Sequence, residues 1–139
     1  MKKAILFLLP VFITATAFVN KASIERNYST NEAKIEWLTL EEAVAKNAQN
    51  PKMIFIDFYT DWNEWSTKMD NDIFPNPQII EAISKNFYAV KINVEEDKTI
   101  TFKGKDYVLD KSGREPMHEI AQELATNNDR LGVPTHVIL

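Results

Sequence analysis

At 139 residues, with 45% hydrophobic and 26% charged side chains, the chain is long enough for one soluble globular domain and too short for two ordinary ones. Its formal charge of −4 argues against nucleic acid as a partner, because binding phosphate needs a basic face, and its interspersed lysines form no polybasic membrane patch. Cysteine is absent, which excludes disulfides, thiol redox chemistry and thiolate metal sites together.

The chain opens MKKAILFLLPVFITATAFVNKAS. Lys2 and Lys3, an apolar run from Ala4 to Ala17 and the small residues Ala15-Thr16-Ala17 make the pattern of a secretory signal over residues 1–17, with cleavage expected after Ala17. The run is short for a bilayer span of about 20 apolar residues, and Pro10 interrupts it. Membrane association is therefore expected only if the signal is uncleaved. Export would place the protein in the periplasm or outside the cell, where disulfides are permitted, yet its stability must come from its core. Residues 18–34 are polar and mixed and read as a linker or loose arm, leaving residues 35–139 as the domain. Asn27-Tyr28-Ser29 matches a glycosylation acceptor, a signal too common to carry weight.

Ile35 to Leu38 predicts a short strand, and Thr39 with Glu42 predicts a capping box opening a helix whose buried stripe is Leu40, Ala43 and Val44. Asn50-Pro51 closes it. Met53 to Tyr59 (MIFIDFY) is apolar on both alternating faces, as a central strand covered on both sides should be, with Asp57 the exception. Thr60 to Asn63 turns the chain, and a helix is expected from about Asn63 through Met69. Phe74-Pro75-Asn76-Pro77 breaks it and starts another, capped by Asn76, with Ile79, Ile80 and Ile83 facing inward. Tyr88 to Val94 predicts the next strand. After Glu95-Glu96-Asp97, the segments ITFKG and KDYVL predict a hairpin with Gly104 near its tip. Pro116 to Ala125 is expected to be helical, burying Ile120, Ala121 and Leu124, and Thr135 to Leu139 to be a final strand. Strands alternating with helices predict an α/β domain with a mostly parallel sheet.

The element order and the first turn resemble the thioredoxin family, and more narrowly an exported thioredoxin-like branch with an extra hairpin after the third strand. In that family a strand ending D-F-Y leads into W-C-x-x-C at a helix start. Here the frame reads Asp57-Phe58-Tyr59-Thr60-Asp61-Trp62, then Asn63-Glu64-Trp65-Ser66. Asn63 stands at the position of the nucleophilic cysteine, Ser66 at that of the resolving cysteine, and Asp57 at that of the buried acid. Val133-Pro134-Thr135 is similar to the family's cis-proline loop, which offers backbone groups to extended peptide. The resemblance implies a mixed, mostly parallel sheet flanked by helices. It also implies a further strand and helix beyond Leu139, roughly 20–30 residues by typical element lengths. The domain is thus expected to be C-terminally truncated: a fragment, an early stop, or a subunit whose partner covers the sheet.

The family's chemistry needs a thiolate attacking a disulfide, and neither Asn63 nor Ser66 supplies one. Asn63 retains only the ability to cap the helix. A hydrolytic role for Ser66 would need a base and an orienting group, and His118 and His136, both expected at the surface, offer no triad that the sequence supports. No catalytic residue, cofactor or metal is therefore expected. Asp57 is expected to hydrogen-bond a nearby lysine or water and do nothing more. Trp62 reads either as core beneath the loop or, with Trp65, as a flank of it; Trp65 should be exposed. With Val133 and Pro134 these tryptophans would form a shallow apolar groove for protein or peptide. The alternatives are an altered or defective thiol–disulfide oxidoreductase and a partner-completed subunit.

Overall fold

A computed structural model describes residues 33–126 and 131–139; the expected signal and nearly all of the expected linker lie outside them. A four-stranded sheet runs in the order β1-β3-β2-β8, from β1 (Trp37–Leu38), β3 (Phe87–Asn93), β2 (Met53–Tyr59) and β8 (Thr135–Ile138). β3 pairs in parallel with β1 and β2, and β8 pairs antiparallel to β2, so the sheet is mixed and mostly parallel. β2 is central, as its double-sided apolar pattern requires.

Local signals set the helices. Thr39 caps α1 (Leu40–Gln49) in a reciprocal capping box with Glu42, but Val44 turns outward at 38% exposure, leaving Leu40 and Ala43 as the buried stripe. Asn76 caps α3 (Pro77–Asn86) through the Gln78 N–H, with Pro77 in the first turn, where its missing donor costs nothing. The expected single helix after the first turn is instead α2 (Glu64–Lys68) running into a π-helical turn, Met69–Ile73. The hairpin is β4 (Ile100–Phe102) and β5 (Lys105–Tyr107), joined by Lys103 and Gly104 at φ 50° and 77°. Left-handed backbone at both central residues fits the twist of a tight hairpin, and glycine accepts it without strain. A two-residue ribbon, β6 (Leu109–Asp110) with β7 (Met117–His118), was not expected, and α4 (Glu119–Ala125) starts later than Pro116.

The period-two alternation of β2 divides the core. Ile54, Ile56 and Phe58 face Leu40, Ala43, Val90, Ile92, Ile120 and the hairpin's Phe102 and Tyr107. On the opposite face Phe55 joins Trp37, Phe74, Ile80 and Ile83. Ile56, Phe58 and Val90 are fully buried, each contributing about 1.5–3 kcal/mol from apolar burial. Asp57 lies on the second face, and the site is built around the carboxyl end of this strand.

His118, expected at the surface, is fully buried. Its Nδ1 accepts from the Ile120 N–H at 3.3 Å, capping α4, so the ring proton lies on Nε2, which donates to the Lys98 carbonyl at 2.7 Å. The bond to Lys98 was not legible locally, because that residue is 20 positions away in the sequence.

Candidate site at the carboxyl end of the central strand

After Tyr59 the chain turns at Thr60, and Asn63, with extended backbone, caps α2. Its Oδ1 accepts from the N–H groups of Trp65 and Ser66 at 2.9 and 3.1 Å. Its Nδ2 donates to the Val133 carbonyl at 3.1 Å. The Val133–Pro134 peptide bond is cis, and this loop leads directly into β8. One asparagine side chain thus joins the helix start to the proline loop.

Both tryptophans are outside the core. Trp65 is 68% exposed, as expected, and Trp62 is 67% exposed, which rules out packing beneath the loop. Trp62 Nε1 donates to the Glu95 carboxylate, 3.0 Å from each oxygen. Asn93 steadies the same corner: its Nδ2 donates to Asp61 at 3.0 Å while its Oδ1 accepts from the Glu95 N–H at 3.0 Å. Lys68 places its ammonium 5.9 Å from the centre of the Trp65 ring.

Ser66 is buried, and its Oγ has no hydrogen-bond partner among the described residues; the same holds for the Thr60 hydroxyl. Asp57 is only 2% exposed and lies in register between Lys91 on β3 and His136 on β8. Lys91 Nζ is 3.9 Å from Asp57 Oδ2 but sits 2.6 Å from Asp70 Oδ2, its closer partner. His136 Nε2 is 3.2 Å from Asp57 Oδ1, yet the ring N–H is not aimed at that oxygen, which accepts no hydrogen bond from the described residues. His136 also stacks on Phe55, with centroids 5.2 Å apart. A lysine does lie beside Asp57, but at 3.9 Å it does not make the expected hydrogen bond; the histidine was missed because strand pairing across the sheet is invisible in one sequence. His136 is only partly at the surface, with 33% of its side chain exposed. Tyr59 borders the cluster: burial, and after it the charges of Asp61, Glu96, Asp70 and Asp57, raise its phenol above the ordinary value.

Chemically the arrangement holds two helix-end donors satisfied by Asn63, a buried carboxylate, and the buried Ser66 and Thr60 hydroxyls, which have no partner among the described residues. Neither histidine is hydrogen-bonded to a serine or threonine hydroxyl among the described residues, so no hydrolytic triad is assembled. Among the same residues no three His, Asp or Glu side chains are placed to hold a metal ion, and no helix is long and apolar enough to cross a membrane.

The thioredoxin-like family profile matches residues 36–139, nearly the whole described domain. The chain belongs to the thioredoxin-like family. No curated protein matches it. Among solved structures it is similar to a thioredoxin from Thermus thermophilus, at 18% identity with a TM-score of 0.51, over 76% of this chain. It spans 65% of that thioredoxin's length. At this identity the likeness speaks for the fold alone. Within that fold, the positions that carry cysteines in the family frame are occupied here by Asn63 and Ser66.

Proposed function

We propose that the protein is an exported, cysteine-free thioredoxin-like domain that binds protein or extended peptide, without redox catalysis, at Trp62, Trp65, Val133 and Pro134. The observation that carries this reading is the exposure of both indoles beside a loop held in place by Asn63. A free domain gains nothing from leaving two tryptophans in water, whereas a large rigid aromatic is the commonest anchor of a binding surface. Holding the cis-proline loop against α2 beforehand lowers the ordering cost on binding. An extended peptide crossing the loop would meet the apolar faces of Trp65 and Pro134.

The test is a fluorescence titration with extended apolar peptides, comparing the parent with Trp62→Ala and Trp65→Ala. Loss of roughly tenfold in affinity for Trp65→Ala, with the circular dichroism spectrum unchanged, is the expected outcome. Binding that neither substitution affects sinks the reading. The export half is checked separately by sequencing the amino terminus of the protein recovered from its host, which should begin at Phe18.

A second reading, an altered thiol–disulfide oxidoreductase, is favoured by Ser66. A buried hydroxyl without a partner is costly, while a thiol behaves as a small hydrophobe and tolerates the same place.

A further inference from the structure

We propose that the segment bound at this site is cationic, with a lysine or arginine side chain seated on the open face of Trp62. This rests on the peptide-binding reading and narrows it to a chemical class.

Three features point to a cation on Trp62. First, its ring is held in place while remaining 67% exposed, because its N–H is committed to Glu95. A carboxylate on the indole N–H pushes electron density into the ring, strengthening its attraction for a cation on its face. Second, the protein already shows this preference next door, where Lys68 lies over Trp65. No cation of the described residues occupies the Trp62 face, although Lys91, Lys103 and Lys105 cover other aromatic rings.

Third, the surroundings are acidic and uncompensated. Asp61 and Glu64 flank Trp62 along the chain, Glu95 contacts it, and Glu96 follows Glu95; all four are exposed. None makes an ion pair among the described residues, whereas the nearby Asp70 and Asp97 are neutralised by Lys91 and Lys111. Burial first raises the Tyr59 phenol, and the charges of Asp61 and Glu96 add to it from the same side. A neutral or acidic peptide could use the tryptophans as apolar contact, but only a cationic one answers the ring and its rim together. Charge complementarity of this kind also speeds encounter and weakens with salt.

The experiment titrates the full chain with three synthetic peptides of equal length and equal apolar content. Their alternate positions carry lysine and arginine, serine and glutamine, or aspartate and glutamate. At low salt the cationic peptide should bind at least about tenfold more tightly than the acidic one, and the gap should narrow at about 1 M salt. Trp62→Ala should weaken the cationic peptide by roughly two- to fivefold more than it weakens the neutral one. Glu95→Gln, at an exposed position, should reduce the cationic preference without altering the urea midpoint. If all three peptides bind alike, the cationic inference falls and peptide binding stands. If none binds, the peptide reading itself falls and takes this inference with it. A cationic preference that survives Trp62→Ala undiminished overturns the seat on the ring and leaves only the carboxylates.

Discussion

The side chain of Asn63 holds two points 70 residues apart, capping α2 with its oxygen and binding the Val133 carbonyl with its nitrogen. The two duties can be separated. Asn63→Asp keeps the cap, and adds a favourable charge at a helix start, but loses the donor to Val133. Asn63→Ala loses both. Urea denaturation should rank parent above Asp above Ala, with Ala lower by about 1.5–3 kcal/mol for a cap and a hydrogen bond together. Equal midpoints for Asp and parent would show that the tether to Val133 contributes no more than the added charge at the helix start.

The double change Asn63→Cys with Ser66→Cys tests the oxidoreductase reading directly. The parent cannot reduce insulin, having no thiol. Cysteine at 63 would lie at the amino end of a helix, which favours the thiolate, and cysteine at 66 would occupy a buried place. Insulin reduction by the double variant would show that the frame still supports the family's exchange chemistry. A folded double variant with free thiols and no activity would remove that support.

How much of this was legible beforehand follows the range of each interaction. Thr39 with Glu42, Asn76 with Pro77, and Gly104 act within a few residues, and each produced its cap or turn where expected. Asn63 as a cap was legible for the same reason. Its bond to Val133, the placement of His136 at Asp57, and the clasp of Glu95 on Trp62 depend on segments brought together by the sheet. No periodicity records such pairings. The π-helical turn over Met69–Ile73 was also hidden, since no spacing within MDNDI distinguishes it from one more turn of α2.

His118 offers a stability test away from the site. Both ring nitrogens are used, one capping α4 and one on Lys98, in a fully buried place. His118→Ala should cost about 2–4 kcal/mol, through a lost cap, an unsatisfied carbonyl and a cavity. His118→Asn restores the cap alone and should recover part of the loss. An Ala variant within about 0.5 kcal/mol of the parent would contradict the burial.

The hairpin is pinned to α4 by Glu123, which accepts from Lys105 and from Tyr107, each at 2.8 Å. The Lys105 and Tyr107 hydrogen bonds lower the Glu123 carboxyl, and the Glu123 bond raises both partners. The signs follow. The contribution of Glu123 is present above the ordinary carboxylate range and lost as pH falls through its lowered value. Those of Tyr107 and Lys105 are present below their ordinary values near 10 and lost as alkali rises past the raised ones. Protection of the β4 and β5 amides, corrected for the intrinsic pH dependence of exchange, should therefore fall at both extremes and stay flat between them, and Glu123→Gln should flatten the acid limb. An unchanged acid limb in that variant would assign it to other carboxylates.

The outer edge of β8 makes the final test. Leu139 and Ile54 exchange both backbone bonds at 2.9 Å, and by antiparallel alternation Val137 and Thr135 also bond inward to β2. His136 and Ile138 therefore turn their N–H and C=O groups to the open edge. Ile138 is 57% exposed there, beside Leu139 at 40%, with Met53 on the adjoining strand at 51%. An apolar edge whose backbone groups are unpaired among the described residues invites strand addition. Light scattering against concentration should show self-association of the parent. A lysine at 138 places charge on that edge without touching the core, so Ile138→Lys should reduce the association while leaving the urea midpoint within about 0.5 kcal/mol. Parent protein that stays monomeric at high concentration would show the edge to be protected. Equal association in parent and variant would move the sticky surface elsewhere, to the exposed tryptophans first.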